Sequence, residues 1–187
     1  MTAYQQPLAL SSPTDSGMGG HQSASSVTDV WLTPPSILAA LGPFDLDPCA
    51  PARRPWPTAT RHISLPQDGL TADWGPDELV WCNPPYGPHT FVWLHRLARH
   101  PAGGIGLIFA RTETQGFFDE VWNRADAALF LKGRLYFHLA DGRRAGDNAG
   151  APSVLVAYGP EAVARLDASG LDGRMVHLNG GIASRAA

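Results

Sequence analysis

The sequence predicts an α/β fold: a mostly parallel sheet with helices on both faces, in a single domain. Three observations lead there. LVWCN (79–83), GIGLIFA (104–110) and PSVLVAY (152–158) have strand length and are apolar almost throughout. That pattern marks strands buried on both faces, not strands with one face in water. Between them lie stretches of helical spacing, such as FVWLHRLARH (91–100), with Phe91, Leu94 and Leu97 along one side. The length of 187 residues, 44% of them hydrophobic, suffices for one domain with a real core.

Taken in order, residues 1–27 are rich in Ser, Gly, Gln and Thr and read as a disordered leader. The folded domain is expected over 28–168, with order setting in near Val30-Trp31. TPPSILAAL (33–41) carries a helix start: Thr33 as cap, prolines in the first turn, and Ile37, Leu38 and Leu41 on one face. FDLDP (44–48) is a short strand ending on two acids and a proline. Residues 49–78 are mostly loop, with a short strand near Thr60–Ser64. After strand 104–110, TETQGFFDEVWNRA (112–125) reads as a helix capped by Thr112. ALFLKG (128–133) and LYFHL (135–139) read as a strand and its continuation. A polar loop (140–151) leads to the last strand, EAVARLDA (161–168) to a short helix, and 169–187 to an irregular tail.

Composition narrows the function classes. No run approaches the roughly 18 apolar residues of a membrane span, and no basic-then-apolar signal opens the chain, so a cytoplasmic protein is expected. Cys49 and Cys82 are too few for a disulfide framework and read as reduced packing residues. The histidines show no ligand spacing, so no metal site is expected. No Ser or Cys sits in a nucleophile motif. The net charge of −3, with Lys132 as the sole lysine, argues mildly against binding dominated by phosphate contacts. Arg53-Arg54 and Arg143-Arg144, both in loops, are local exceptions.

In an open α/β sheet, ligands bind beyond the carboxyl ends of the strands. Two sequences stand there: Asp45/Asp47 after the first strand, and Asn83-Pro84-Pro85-Tyr86 after the apolar strand 79–83. The Asn83 oxygen is an uncharged acceptor. The Pro84 carbonyl is a second acceptor, and Pro85 restricts Pro84 to extended geometry, which fixes that carbonyl's direction. Tyr86 offers a flat face. Two convergent acceptors beside a stacking ring suit an NH2 group on a planar substrate. Accepting both hydrogens favours a pyramidal nitrogen and aims its lone pair at an electrophile.

These residues carry a resemblance. Asn-Pro-Pro-Tyr is similar to the signature of S-adenosylmethionine-dependent amino-methyltransferases. With Thr33-Pro34-Pro35, FDLDPCA (44–50), ARTETQGFF (110–118), KGRLYF (132–137) and APSVLVAY (151–158) in the same order, the chain resembles the phage-type, Dam-like DNA N-6-adenine methyltransferases over roughly residues 30–158. The resemblance implies a Rossmann-like class I methyltransferase fold, with S-adenosylmethionine as cofactor and a flipped adenine in DNA as substrate. It implies that Asn83, Pro84, Pro85 and Tyr86 are catalytic, the first two holding the amino group and Tyr86 stacking on the base. Trp31, Thr33, Pro34, Asp45, Asp47, Pro48 and Asp68 are implied at the cofactor. Thr33 would meet its methionyl end, Asp47 its ammonium or ribose, and Asp68 its adenine amino group, while Trp31 either packs on it or anchors the chain. Arg53, Arg54, Arg111, Arg134, Arg143 and Arg144 are implied on the DNA side, with loops 49–62 and 140–151 reading the target. Two features depart from the wider pattern. No GxG follows Asp47, and no acid lies between Cys49 and Gln67 to hold the ribose. Alternatives are the same fold acting on cytosine N-4, RNA adenine or protein glutamine, or an inactive DNA-binding relative.

Overall fold

The computed structural model describes residues 30–178, so the leader expected over 1–27 lies outside the described residues. The elements run α1 (Pro35–Leu41), β1 (Leu46–Asp47), β2 (Arg61–His62), β3 (Val80–Cys82), α2 (Thr90–Leu97) and β4 (Gly104–Phe109). Then come α3 (Gln115–Phe117), continuing as a π-helical turn (Phe118–Trp122), β5 (Ala127–Leu131), β6 (Ser153–Tyr158), α4 (Pro160–Ala168) and β7 (Gly173–His177). The seven strands form one sheet in the order β2-β1-β3-β4-β6-β5-β7. The β2/β1, β1/β3 and β3/β4 pairs are parallel; β4/β6, β6/β5 and β5/β7 are antiparallel.

The sheet is therefore mixed, which corrects the expectation of a mostly parallel one. The physical reason is the connection from β5 to β6. It has no crossover helix, and strands joined without a crossover must pair antiparallel. β4 and β5 both oppose β6, so they point the same way, and β1 to β5 share one direction. Their carboxyl ends, and the loop entering β6, gather along one edge.

Period-2 alternation divides the strands between two cores. Val80, Cys82, Ile108, Val154, Val156 and Tyr158 face one side, with Leu94 and Leu97 of α2 and Phe117. Trp81, Ile105, Leu107, Leu155 and Ala157 face the other, with Ile37 and Leu41 of α1 and Ala162 and Leu166 of α4. Helices thus cover both faces, as the continuous apolar strands require.

Several local expectations change. Thr33 does not cap α1; Pro34 holds that position and Pro35 opens the helix. The third helix is capped by Thr114, not Thr112: Thr114 Oγ1 accepts from Phe117 N at 3.4 Å and donates to the Arg111 carbonyl at 2.9 Å. The helix soon widens into the π turn around Glu120, which is buried and held by His95 and Arg124. LYFHL (135–139) is not a strand, and only His138 bridges, to Leu32 and Arg144. The irregular tail expected from 169 instead contributes β7, whose backbone pairs along the whole of β5. Its residues are exposed or half-buried, as suits an edge strand, so its apolar signal is weak.

One contact off the sheet positions the site. Arg96 of α2 reaches the turn after β2 and donates to the carbonyls of Gly69, Leu70 and Ala72, with its guanidinium 4.3 Å above the Trp74 ring. Trp74 Nε1 donates to the Gly69 carbonyl at 2.8 Å. A Cβ at Gly69 would fall 1.8 Å from the Pro48 carbonyl oxygen, so only glycine lets this turn lie against the turn after β1. Arg96→Met removes a charged donor shared by three carbonyls. It is expected to destabilise the fold by about 1–3 kcal/mol, read as a lower urea midpoint at unchanged slope. An unchanged midpoint would show that the clamp contributes nothing.

Candidate functional site

A cleft of about 590 Å3 opens along the shared carboxyl edge. Asp47, Pro48 and Cys49 enter it from the end of β1, Ser64 and Asp68 from beyond β2, and Asn83, Pro84, Pro85 and Tyr86 from the end of β3. Trp31 and Thr33, ahead of α1, line its other wall.

Asn83 is oriented by a single bond. Its Nδ2 donates to the Trp31 carbonyl at 2.9 Å, which leaves Oδ1 as the free end of the amide. Tyr86 donates its hydroxyl to that Oδ1 at 3.3 Å, and a carbonyl oxygen keeps a second lone pair for another donor. The Tyr86 ring stacks on Phe109 of β4 (centroids 4.2 Å apart, planes at 21°) and meets Phe137 edge-on. Burial pushes its phenol well above the usual range, so it remains a neutral donor. The turn is closed by Thr90: its Oγ1 donates to the Pro85 carbonyl and accepts from Gly87 N, each at 3.0 Å. Thr90 was not legible in advance, because nothing in its sequence context distinguishes it from an ordinary helix start.

Asp47 is buried. Oδ1 accepts from Cys49 N at 3.1 Å and Oδ2 from the Thr58 hydroxyl. His62 holds Thr58 in turn, its Nε2 accepting the backbone N–H groups of Thr58 and Ala59 at 3.2 and 3.3 Å. Burial and nearby Arg54 lower the His62 pKa, which keeps the ring neutral and able to accept. Burial raises the Asp47 carboxyl to about 6, partly countered by Thr58, Cys49 and Arg54. Asp68 is exposed at the cleft, with Oδ1 accepting from Leu70 N at 2.9 Å. Thr33 is 2% exposed, and its Oγ1 has no partner. Cys49 and Cys82 are free thiols whose sulfurs lie 3.7 Å apart.

Two assigned cofactor residues stand outside the cleft. Asp45 sits at the amino end of β1, where Oδ2 accepts from Leu79 N at 2.9 Å and fixes the start of β3. Strand alternation gave no means to tell that end from the other. Pro34 is buried, and its carbonyl accepts from Ile37 N at the start of α1.

Of the arginines, Arg53 and Arg54 line the cleft, and Arg54 donates to the Pro51 carbonyl at 2.8 Å. Arg143 pairs with Asp141, and Arg144 lies 3.8 Å above the Tyr136 ring. Arg111 follows β4 and is half-buried, while exposed Arg134 follows β5 and reaches the Ala149 carbonyl at 3.5 Å. These four do not line the cleft, although all lie toward its edge of the sheet. Loops 49–62 and 140–151 meet each other. Trp56 lines the cleft and packs edge-on to His138, and Gly142, at φ +89°, leaves no room for a Cβ beside Pro55. Trp56 was missed; an aromatic between prolines in an arginine-rich loop was its only signal.

Among the described residues no group of three or more His, Cys, Asp or Glu side chains could hold a metal ion, and no helix is long and apolar enough to cross a membrane. Residues 20–168 match the family described as DNA N-6-adenine-methyltransferase (Dam). A DNA N-6-adenine-methyltransferase of Escherichia phage T1 is 32% identical over 146 residues, covering 68% of this chain. The chain spans about 60% of the length of that curated relative. No solved structure matches it.

Asp47 ties the cleft to pH. Its carboxyl titrates near 6 in the folded chain against an ordinary 3.8, so folding favours the protonated form. The resulting stability is full below the ordinary value and is lost as pH rises through about 6. The displacement corresponds to about 3 kcal/mol at most. Asp47→Asn keeps the shape and cannot ionise. It is expected to melt higher than wild type at pH 8, with the advantage vanishing near pH 4. Equal melting of the two at pH 8 would contradict a carboxylate strained by burial.

Proposed function

Because the chain belongs to the DNA N-6-adenine-methyltransferase (Dam) family, we propose that it transfers a methyl group from S-adenosylmethionine to N-6 of adenine in DNA. The observation that carries the reading is the fixed orientation of Asn83, whose Nδ2 is committed to Trp31 so that its oxygen is the end offered at the cleft. An amide turned the other way would meet an amino group with a second donor and repel it. The Rossmann-like class I fold belongs to the same proposal. It is supported by the co-directional strands β1 to β5 and by a cleft at their carboxyl ends.

The cleft's own residues fit the cofactor. S-adenosylmethionine, when bound, supplies a methyl group on a cationic sulfonium. Asp47 provides the negative charge that a cationic ligand requires, and Thr33 Oγ1 is a buried hydroxyl without an internal partner. Trp31, Pro48 and Asp68 complete the proposed cofactor wall. Thr58 and His62 act as positioning residues, holding Asp47 toward the cleft.

On the substrate side, Asn83 Oδ1 and the Pro84 carbonyl take the two hydrogens of the amino group, and the nitrogen lone pair is directed away from both. Tyr86 holds the base plane, its own ring backed by Phe109 so that stacking costs little reordering. The base must leave the duplex for this, at a few kcal/mol, and stacking of about 1–3 kcal/mol offsets part of that. Arg53, Arg54, Arg143 and Arg144 lie on the two joined loops and suit the flanking phosphates, with Arg111 and Arg134 nearer the strand ends. A cytoplasmic setting accords with a DNA substrate.

Asn83→Ala is expected to bind S-adenosylmethionine within about twofold of wild type in calorimetry. It should lose transfer to DNA by roughly a hundredfold or more, as removal of one fixed polar group at a reacting centre typically does. A near wild-type rate would refute the role of Asn83. Mass spectrometry of nucleosides from treated DNA should show N-6-methyladenine. Methylcytosine instead would transfer the mechanism to the other amino base, and cofactor binding without any product would mark an inactive relative.

A further inference from the structure

The chain has six tryptophans, and five of them serve the cores. Trp74, Trp93 and Trp122 pack into the core on the α2 side, Trp31 and Trp81 into the core on the α1 side. Trp56 joins neither. It is half-buried in the loop between β1 and β2, and it lines the cleft. Among the described residues its one ring contact is with His138, edge-on, at 5.3 Å between centroids. Tryptophan carries a large apolar ring, and where it stands half in water at a cleft it suits contact with a partner.

The loop fixes this residue from several directions. Pro55 and Pro57 flank it and restrict the backbone on either side. Arg54 Nη1 donates to the Pro51 carbonyl at 2.8 Å, and Thr58 is tied to both Asp47 and His62. From the loop before β6, Gly142 lies so close to Pro55 that a Cβ there would come within 2.9 Å of the proline ring. A side chain anchored in this way loses little freedom when a second flat group stacks on it, so the stacking is retained as affinity. Charge then selects the kind of flat group. Arg53, exposed, and Arg54, half-buried, stand just ahead of Trp56 and line the same cleft. Two guanidinium groups favour an anion beside the ring. The proposed methyl donor is cationic at sulfur and nitrogen, whereas a nucleotide in a strand brings a phosphate with every base. An aromatic platform next to arginines is the arrangement that holds unpaired nucleic acid.

We propose that Trp56 stacks on an unpaired base of the DNA strand at the cleft, while Arg53 and Arg54 hold the adjoining phosphates. This rests on the DNA reading above and goes beyond it, because it makes a residue outside the NPPY turn a second stacking surface for the strand.

The test uses the full chain and two end-labelled single strands of equal length, one of deoxyadenosines and one abasic throughout, with binding read by fluorescence anisotropy. Wild type is expected to bind the base-bearing strand more tightly. Trp56→Ala should weaken that strand by roughly 5- to 100-fold, the scale of one lost base–aromatic stack, and leave the abasic strand within about twofold. Trp56→Phe, which keeps a flat ring, should retain most of the preference, and Trp56→Leu, which keeps apolar bulk alone, should lose it. The Phe and Leu pair carries the comparison should the Ala variant not fold. In calorimetry all three variants should bind S-adenosylhomocysteine within about twofold of wild type. Equal weakening of both strands, unchanged binding of the base-bearing strand, or a selective loss of S-adenosylhomocysteine would each overturn the role of Trp56 and leave the DNA reading intact. Failure of the wild-type chain to bind any strand would overturn both.

Discussion

One hydrogen bond, from Asn83 Nδ2 to the Trp31 carbonyl, decides what the cleft can do. It joins residues 52 apart in sequence and closes the segment ahead of α1 over the end of β3. In net stability such a bond contributes about 1 kcal/mol. Its consequence is larger than its energy, because a carboxamide reversed by half a turn changes from acceptor to donor. The Tyr86 hydroxyl, which can donate or accept, donates to the oxygen so placed. The polarity of Asn83 is therefore fixed by backbone placement, and the segment containing Trp31 and Thr33 belongs to the proposed substrate geometry as well as to the proposed cofactor wall.

That segment can reach Asn83 because of the direction of the strands. β1 to β5 all end on one edge, and β6, running the other way, begins there. Each connection on that edge adds a piece of the site: the turns after β1 and β2, the NPPY turn after β3, Phe109 at the end of β4, and the loop that enters β6. The last of these folds back on the first. Trp56 rests on His138, Gly142 accommodates Pro55, and the His138 backbone bridges both Leu32 and Arg144. Two arginine-bearing loops that are far apart in the chain become neighbours beside the cleft. An acidic chain is thereby compatible with the polyanionic partner proposed for it, because the local charge at the contact counts for more than the net charge of −3 of the whole chain.

What the sequence reveals and what it hides divide along a physical line. Strands buried on both faces announce themselves as apolar runs, and NPPY stands out as a turn at a strand end because each of its residues has a distinctive property. Features that depend on a distant partner are not legible. GRMVH (173–177) becomes β7 only because β5 offers an unpaired edge, and LYFHL (135–139) has a strand's composition but no strand to pair with beyond His138. Asp45 and Asp47 look equivalent in FDLDP, yet they sit at opposite ends of a two-residue strand, one fixing the start of β3 and the other facing the cleft. Thr33 and Trp81 are informative for the opposite reason. Read locally they are a helix cap and a core aromatic, and only the fold shows that each leaves a polar atom without a partner.

Those unsatisfied groups carry an energetic cost in the layer beneath the cleft. Each buried polar atom left unpaired costs about 1–3 kcal/mol, and the Asp47 carboxylate above pH 6 adds a desolvation cost of similar size. A well-packed fold can carry such costs only where surrounding contacts are strong, and here the central strands β3, β4 and β6 are buried on both sides.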